Sequence, residues 1–463
     1  MTTVDYGLTG AAHDAAVDNG LANAEWFLAD IDPARLRQLQ ARTNGRATAD
    51  AVLWLALLVG SGLWAYATVW SWWSIPAFAI YGALYGGASD PRWHEMGHGT
   101  AFRTRWANDA IYPLASFMLL RGPTLWRWSH YRHHTDTIIV GRDPEIAFTR
   151  PPDVARTAFK FTGIPGIVDL FPRQVRHATV GLDADAAEIV PSSEHRRVIR
   201  EARAFVAIIV AAASWSVLAW TPLPILFIGG PTVYGMWMVL FFGITQHAGL
   251  RENVLDHRYN TRTVYMNPVF RFLYLNMNYH VEHHMFPSVP YPALPALHAE
   301  IKDQLPAPLP NTVAAYRQIW TALARQHRDP SYEIPLEVPD VPGAHGRIDV
   351  GETNWTHGPD GTLDLGAADT LAVGELRRID VAERTFVLCR LSPDDVVLAD
   401  GLCTHAEVHL AGGALVDGCI ECPKHNARFD ARSGEVVRKP ARRPIGIYTV
   451  ESVAGRLVTR EIP

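Results

Sequence analysis

Three short histidine motifs and one lone histidine carry most of the chemical capacity of this sequence. The motifs read HEMGH at 94–98, HYRHH at 130–134 and HVEHH at 280–284, and a further histidine lies in QHAGL at 246–250. Side chains at helical offsets of three and four share one face, so the imidazoles within each motif can reach one metal ion. The nine histidines concerned are His94, His98, His130, His133, His134, His247, His280, His283 and His284.

Three such motifs in one chain favour a metal centre over a solvated polar surface. Imidazole ligands suit iron or zinc, whereas calcium and magnesium prefer oxygen ligands. Nine imidazoles are too many for one tetrahedral zinc ion, and they fit two metal ions with open coordination positions. Taken alone, HEMGH also matches the HExxH pattern of zinc proteases, in which Glu95 would be the general base.

A second possible metal-ligand set lies near the C-terminus. Cys403-Thr-His405 is followed, after 16 residues, by Cys422-Pro-Lys-His425. Two thiolates and two imidazoles are the ligands of a Rieske [2Fe-2S] cluster, and a Cys₂His₂ zinc site is the alternative. Cys419 and Cys422 also form a C-x-x-C pair, for which a redox disulfide is a competing interpretation.

The elements that must position the histidines are predicted to be membrane helices. The 39 residues Ala51–Ser89 and the 47 residues Ala204–Leu250 contain no Lys, Arg, Asp or Glu. A membrane span needs about 20 apolar residues, so each stretch is long enough for two spans and a tight turn. The connection Pro91–Arg203 carries 16 Lys and Arg, which places it and both chain ends in the cytoplasm by the positive-inside rule.

The rest of the chain indicates a second, soluble domain. Short β-like runs separated by turn residues follow a proline-punctuated stretch. We therefore expect an N-terminal cytoplasmic segment at 1–49, an α-helical membrane domain with four spans at 50–328, a linker at 329–364 and an all-β domain at 365–463. A net charge of −5 gives no reason to expect nucleic-acid binding, and four cysteines exclude a disulfide scaffold.

The histidine motifs, in this order and on this hydropathy frame, resemble the membrane fatty-acid desaturase/hydroxylase superfamily over residues 50–325. The resemblance implies a non-haem di-iron enzyme that activates O₂ at the cytoplasmic face, with the histidines of the three motifs as iron ligands. His247 fits the place of a further ligand near the end of the last span. Candidate partners that orient the imidazoles are Glu95, Asp136, Asn276 and Glu282.

The C-terminal residues resemble a Rieske-type ferredoxin over 365–463. The resemblance implies that Cys403 and Cys422 bind one iron and that His405 and His425 bind the other. Asn426 departs from the pattern, because many members have glycine there. The chain has no dinucleotide-binding fingerprint, so we expect a separate NAD(P)H-dependent ferredoxin reductase to supply electrons.

The pairing of both parts is similar to the rhizopine-degradation oxygenase family, whose ferredoxin is a separate protein. We therefore expect an O₂-dependent enzyme of the bacterial inner membrane that hydroxylates an unactivated C–H bond, with oxidative demethylation as one outcome. The expected substrate is an apolar or amphipathic small molecule. The alternatives are an acyl-lipid desaturase of the same fold, a membrane HExxH zinc protease and a non-catalytic electron-transfer protein.

Overall fold

The computed structural model describes residues 5–22, 26–341, 356–357, 362–381, 384–405, 407–424 and 426–460. The chain forms two compact units. The first comprises Met1–Ala22, Arg42–His284 and Pro290–Pro339, and the second comprises Asn23–Ala41, Met285–Val289 and Asp340–Pro463. His425, one of the expected cluster ligands, lies outside the described residues.

Helices form almost all of the regular structure before residue 330. They are α1 Ala11–Asp18, α2 Pro33–Gln40, α3 Gly45–Ala67, α4 Ser74–Gly82, α5 Ser89–His98, α6 Arg105–Met118, α7 Pro123–Thr135, α8 Val154–Lys160, α9 Ile164–Thr179, α10 Ala184–Ile189, α11 His195–Leu218, α12 Leu223–Phe227, α13 Gly230–Tyr234, α14 Met236–His247, α15 His257–Asn260, α16 Pro268–Leu273, α17 His280–Met285, α18 Leu294–Ile301 and α19 Thr312–Arg328.

Two helical segments of the described chain, Ala34–Ala67 and Ser192–Leu218, are long and apolar enough to cross a membrane. Hydropathy predicts four spans, two in each hairpin. In both hairpins the segment after the turn, called here the returning segment, is interrupted. A π-helical turn at Ala83–Gly87 separates α4 from α5, and the second return is divided at Gly229, whose φ is 88°. The tryptophans expected at the membrane surface near the two turns are exposed: Trp70, Trp72, Trp73 and Trp220.

The interruptions coincide with close packing of one returning segment on the other. A Cβ atom on Gly87 would lie 2.5 Å from the Cβ of Met238, and one on Gly82 would lie 2.3 Å from the ring of Tyr234. Glycine removes these clashes, so the backbone of the π-helical region can approach α13 and α14 closely. This contact places the beginning of α14 next to the beginning of α5.

The second unit contains the all-β part. Its strands are β1 Thr356–His357, β2 Leu363–Ala367, β3 Leu376–Val381, β4 Arg384–Ser392, β5 Asp395–Asp400, β6 Ala414–Val416, β7 Cys419–Glu421, β8 Arg428–Asp430, β9 Val436–Arg438, β10 Ile447–Tyr448, β11 Glu451–Val453 and β12 Arg456–Thr459. They form three four-stranded antiparallel sheets, in the orders β1-β2-β12-β11, β10-β5-β4-β3 and β6-β7-β8-β9.

Two buried clusters hold these sheets together. One contains Phe386, Leu388 and Leu398 on alternating positions of paired strands. The other contains Phe429 and Ile420 together with Cys403 and Cys422, so the two predicted cluster thiols belong to the core of the unit.

The structure assigns parts of the expected linker (329–364) and of the expected N-terminal segment (1–49) to its two compact units. Ile334 packs against Leu250 and Ala322, so the first part of the stretch from Asp329 belongs to the helical unit. In the N-terminal segment, the Tyr6 hydroxyl donates to Glu252 at 2.9 Å within the first unit. Residues 26–41 belong to the second unit, although composition groups them with the other polar residues before the first span.

Candidate active site

Four helices deliver the nine predicted histidines to one buried region of the helical unit. His94 and His98 lie on α5, His247 ends α14, and the other two motifs lie on α7 and α17. Gly99 ends α5 immediately after His98 in a left-handed conformation with φ 67°, and its N–H donates to the carbonyls of Glu95 and Met96. Proline at the first turn begins α7 seven residues before His130.

Five imidazoles form the first group, in which one ring nitrogen of each residue lies within 4.8 Å of the others: His94, His98, His130, His134 and His283. The Nε2 atoms of His98 and His130 are 3.1 Å apart. Those of His130 and His134 are 3.0 Å apart, and those of His134 and His283 are 3.1 Å apart. Neither ring nitrogen of His94 has a hydrogen-bond partner among the described residues.

A second group contains His133, His247 and His284, again with nitrogens within 4.8 Å of one another. His280 adjoins it, because its Nε2 lies 3.1 Å from that of His247 and 3.2 Å from that of His284. The structure therefore brings all nine predicted ligands together, as two adjacent groups.

The hydrogen bonds of these rings fit cation binding. The Nδ1 atoms of His130, His133 and His247 each face an oxygen that accepts: Glu145 at 3.1 Å, Asp143 at 2.9 Å and the carbonyl of Asn260 at 2.8 Å. A neutral imidazole that donates from Nδ1 has only a lone pair on Nε2. In three close pairs, with nitrogens 3.0–3.1 Å apart, His130 or His247 therefore presents an Nε2 lone pair to the neighbouring ring, as a metal ligand does.

The distances also fit metal coordination. A metal ion about 2.1 Å from each of two imidazole nitrogens at right angles separates those nitrogens by about 3.0 Å. Burial, followed by the neighbouring imidazoles, lowers the pKa of six ring systems well below the ordinary value, so they stay neutral as ligands must be: His94, His130, His134, His280, His283 and His284. Burial also lowers the pKa of His133, but Asp143 outweighs it and raises the value to about 8.

Two carboxylates that sequence analysis missed hold the imidazoles in place. Asp143 contacts Nδ1 of His133 with both oxygens and also accepts from the backbone N–H groups of Ile138 and Glu145. Glu145 contacts His130 and accepts from the Ser129 hydroxyl at 2.8 Å. No sequence signal separates these two from other acidic residues, because their position depends on the loop that follows α7.

The four partners expected from sequence have other contacts. The Thr100 hydroxyl and the Tyr291 N–H donate to Glu95, and Asp136 pairs with Arg142 at 3.2 Å. Asn276 bonds Arg271 and the carbonyl of Tyr291. Glu282 contacts His298 and Thr263. These side chains connect the loops around the site to its helices. The carboxylates that contact imidazoles of the two groups are instead Asp143 and Glu145.

Aromatic packing fixes the distance between α5 and α7. The ring of Trp126 stacks on that of His130, with centroids 4.3 Å apart and an interplanar angle of 18°. A Cβ atom on Gly97 would lie 2.4 Å from the Trp126 ring. The glycine of HEMGH therefore provides the space that allows Trp126 to pack between the two histidine motifs.

A cavity of about 580 Å³ opens beside the histidines. It is bounded by His94, His130, His133 and His280 at one end and by apolar side chains of α14, including Met236 and Leu240. The indole rings of Trp93 and Trp126 also line it, as does the ion pair of Arg121 with Asp90 at 3.0 Å. The volume lies within the range of small-molecule sites, so a substrate bound here would contact the predicted metal ligands.

In the second unit, Cys403 and Cys422 begin two loops with the same hydrogen-bond pattern. Cys403 N–H donates to the carbonyl of Val408, and Glu407 N–H donates to the carbonyl of Cys403. The Cys422 loop repeats this with Ala427 and Asn426. Both cysteines are buried, His405 is exposed, and the described structure contains no Cys419–Cys422 disulfide.

The hydrogen-bond pattern shared by the two loops explains why asparagine can stand at position 426, where many Rieske-type ferredoxins have glycine. Glu407 and Asn426 occupy equivalent positions with φ of 53° and 54°, the left-handed region in which asparagine is tolerated. The Asn426 amide also donates to buried Glu421 at 2.9 Å, and Glu421 pairs with Arg428. Between the cysteine and histidine positions, Lys424 is buried and its ammonium lies 3.9 Å from the centre of the Trp26 ring.

Comparison with known proteins identifies both parts. Residues 70–315 match the family model described as fatty acid desaturase, and residues 362–451 match the Rieske [2Fe-2S] domain. The chain is 29% identical over 93 residues to the anthranilate 1,2-dioxygenase ferredoxin subunit of Burkholderia cepacia, covering 20% of this chain and 85% of that protein. It is 35% identical over 89 residues to the ferredoxin component of the naphthalene 1,2-dioxygenase system of Pseudomonas putida, covering 19% and 85%. A solved Sphingomonas yanoikuyae B1 ferredoxin is 26% identical, with a TM-score of 0.21, covering 21% of this chain and 96% of that one.

Proposed function

Because the chain belongs to the fatty acid desaturase family, is an oxidoreductase and carries a C-terminal Rieske [2Fe-2S] domain, we propose that it is an O₂-dependent membrane di-iron hydroxylase with its own fused electron carrier. The overall reaction would be R–H + O₂ + 2 e⁻ + 2 H⁺ → R–OH + H₂O. The observation that carries the proposal is the convergence of nine imidazoles from four helices beside a cavity.

The chain's own residues have distinct parts in this proposal. The histidines of both groups would hold two iron ions, which when bound supply O₂ activation and redox capacity. Asp143 and Glu145 orient His133 and His130, which keeps Nε2 available as a ligand. The cavity walls, including Trp126 and Leu240, would hold the substrate and exclude bulk water.

The Rieske unit would deliver electrons. Cys403, His405, Cys422 and His425 would hold the cluster, which carries one electron at a time. Two successive transfers per turnover are then needed, and covalent fusion keeps the carrier at high effective concentration. We propose that a separate NAD(P)H-dependent reductase recharges the cluster, since the relatives that match this unit are ferredoxin components of dioxygenases.

The proposed setting is the bacterial inner membrane, with both chain ends in the cytoplasm. The two long apolar helices and the exposed tryptophans at the hairpin turns support membrane insertion. The contacts of Glu95 weigh against a zinc protease, because a general base must face the substrate. Its carboxylate instead accepts from Thr100 at 2.6 Å and from Tyr291.

The test is product analysis by mass spectrometry under ¹⁸O₂ in cells that express the intact chain together with a ferredoxin reductase. Lipid and small-molecule extracts are compared with those from cells expressing His134→Ala. One ¹⁸O atom in a new product supports hydroxylation, including a hydroxylation that ends in demethylation. A new double bond without ¹⁸O identifies a desaturase instead, and O₂ consumption that survives His134→Ala identifies an electron carrier.

A further inference from the structure

Gly243 lies on α14, four residues before His247. It lies in the helix interior, and a Cβ atom there would meet no described atom within 4 Å. Glycine in a helix interior destabilises the helix relative to alanine. Nothing in the packing of the described residues requires a glycine at this position.

Other glycines of the same unit make the contrast clear. At Gly82, Gly87 and Gly97 an added Cβ would lie 2.3–2.5 Å from a neighbouring side chain, so close packing explains the glycine. Gly243 instead faces open space, as Gly60 of α3 does, but unlike Gly60 it borders the histidine site. It lines the cavity of about 580 Å³ and also a smaller cavity of about 90 Å³ that is bounded by His133 and His247.

We propose that Gly243 is a specificity-determining residue that keeps the cavity wide next to the two histidine groups. An unbranched acyl chain binds best where side chains enclose it, because each gap forfeits van der Waals contacts. A missing side chain beside the reacting carbon therefore suits a substrate that is bulky there. The substrate class would be a molecule with a ring or a branched carbon skeleton. This inference rests on the proposed function, in which the cavity receives the substrate.

The width of the cavity can be measured without a known substrate. Gly243→Cys in the full chain is treated with ethyl and benzyl methanethiosulfonate, and peptide mass spectrometry quantifies the label at position 243. The matched control is Gly60→Cys, since Gly60 lies in the interior of α3, is exposed and has no described atom within 4 Å of an added Cβ. The four native cysteines all lie beyond residue 388, in other peptides.

We expect the benzyl and ethyl reagents to modify the thiol of Gly243→Cys at rates within about tenfold of each other, as they should in Gly60→Cys. One steric misfit in a pocket discriminates by about 10–200-fold. A benzyl rate more than about tenfold below the ethyl rate in Gly243→Cys, with no such difference in the control variant, would overturn the inference. This readout does not depend on turnover, so it separates failure of the inference from failure of the proposed function.

A second variant tests the role in selectivity. Gly243→Leu fills the open space, so iron content should equal that of the wild type and thermal stability should be no lower, whereas formation of the native product should fall at least about tenfold. Unchanged product formation would contradict the proposal. Loss of iron would contradict it as well, because the glycine would then serve the metal site instead of the substrate.

Discussion

Replacing Asp143 should show whether the histidine ligands need a carboxylate partner to bind iron. Its carboxylate contacts Nδ1 of His133 with both oxygens and accepts two backbone N–H groups. Asp143→Asn keeps the size of the side chain but offers the imidazole an amide in place of a carboxylate. We expect iron affinity to fall about 10–100-fold, measured as iron per chain after dialysis against graded chelator.

The matched control is Asp185→Asn, because Asp185 also lines the cavity but is exposed. It should retain the iron of the wild type. Equal iron retention in Asp143→Asn would show that His133 needs no orienting carboxylate.

Asn426 should contribute to the Rieske loop in two separable ways. Its φ of 54° costs a non-glycine residue about 1 kcal/mol or more, although asparagine tolerates this region best. Its amide donates to buried Glu421. Asn426→Ala loses both advantages, whereas Asn426→Gly loses only the hydrogen bond, which is worth about 1 kcal/mol. We expect the alanine variant to bleach at a lower temperature than the glycine variant, both below wild type; equal midpoints would refute the strain argument.

His409 should make the Rieske unit sensitive to acid. Its Nδ1 accepts from the Ala411 N–H and its Nε2 bonds the Thr385 hydroxyl, so the neutral ring fits the site. Burial, together with Arg378, lowers its pKa to about 4. The unfolded chain then binds more protons than the folded chain between about pH 6.5 and pH 4, and stability falls as pH decreases through that window.

The measurement is the denaturation midpoint of the unit from pH 8 to pH 4, compared with His409→Gln. The variant should be less stable at pH 8 and should show a shallower loss toward pH 4. Parallel curves for the two proteins would assign the acid sensitivity to other groups.

The residues most accessible from sequence are those whose spacing is local. The histidines of each motif share a helix face at offsets of three and four, so the grouping within each motif follows from spacing alone. The resemblance to the desaturase superfamily implies that His247 joins them. Asp143 and Glu145 belong to a loop after α7, and only tertiary structure brings that loop against His133 and His130.

At the scale of helices, the contact between α5 and α7 depends on the smallest residue of HEMGH. Gly97→Ala would place a Cβ 2.4 Å from the Trp126 ring and 3.2 Å from Tyr112. Trp126 must then shift, and His130 moves with it because the two rings stack at 4.3 Å. We expect about 1–3 kcal/mol of destabilisation and loss of iron, measured by thermal unfolding and metal analysis.

Gly60→Ala is the control for this substitution, because it adds the same methyl group to a helix where no described atom lies within 4 Å. It should leave iron content unchanged and should not destabilise the protein. If Gly97→Ala retained iron and stability, the close approach of Trp126 would not be what sets the distance between the helices.

The interruptions of helices are a feature that the sequence patterns do not predict. A charge-free stretch predicts apolar surroundings, and α3 and α11 agree with that prediction. It does not reveal where a helix is interrupted, because the π-helical turn at Ala83–Gly87 and the break at Gly229 coincide with contacts between segments distant in sequence. Hydropathy therefore predicts two hairpins, while the form of each returning segment depends on glycine-mediated contacts.

For the whole molecule, composition separates the helical part from the β part. It does not show to which of the two units the short neighbouring segments belong. Residues 26–41 and 285–289 belong to the same unit as the β-sheets. Trp26 contacts Lys424 between the predicted cluster ligands, and Gln40 donates to Ser288 at 2.9 Å. Such long-range contacts leave no local pattern. The segment 285–289 directly follows His283 and His284 in the chain, which links the carrier unit to the last histidine motif by sequence.

Fusion of carrier and oxygenase makes electron delivery within one chain the expected route, because a tethered partner acts at millimolar effective concentration. Two variants test it. Cys422→Ala should lose the [2Fe-2S] signal but keep the other iron, and His134→Ala should do the reverse, so each alone is inactive. Mixed at micromolar concentration, they should recover less than about a hundredth of wild-type turnover, since transfer between chains must then rely on bulk concentration. Recovery should rise in proportion to concentration. Recovery near a quarter of wild type that does not change on dilution would instead mean that electrons pass between chains of a stable oligomer.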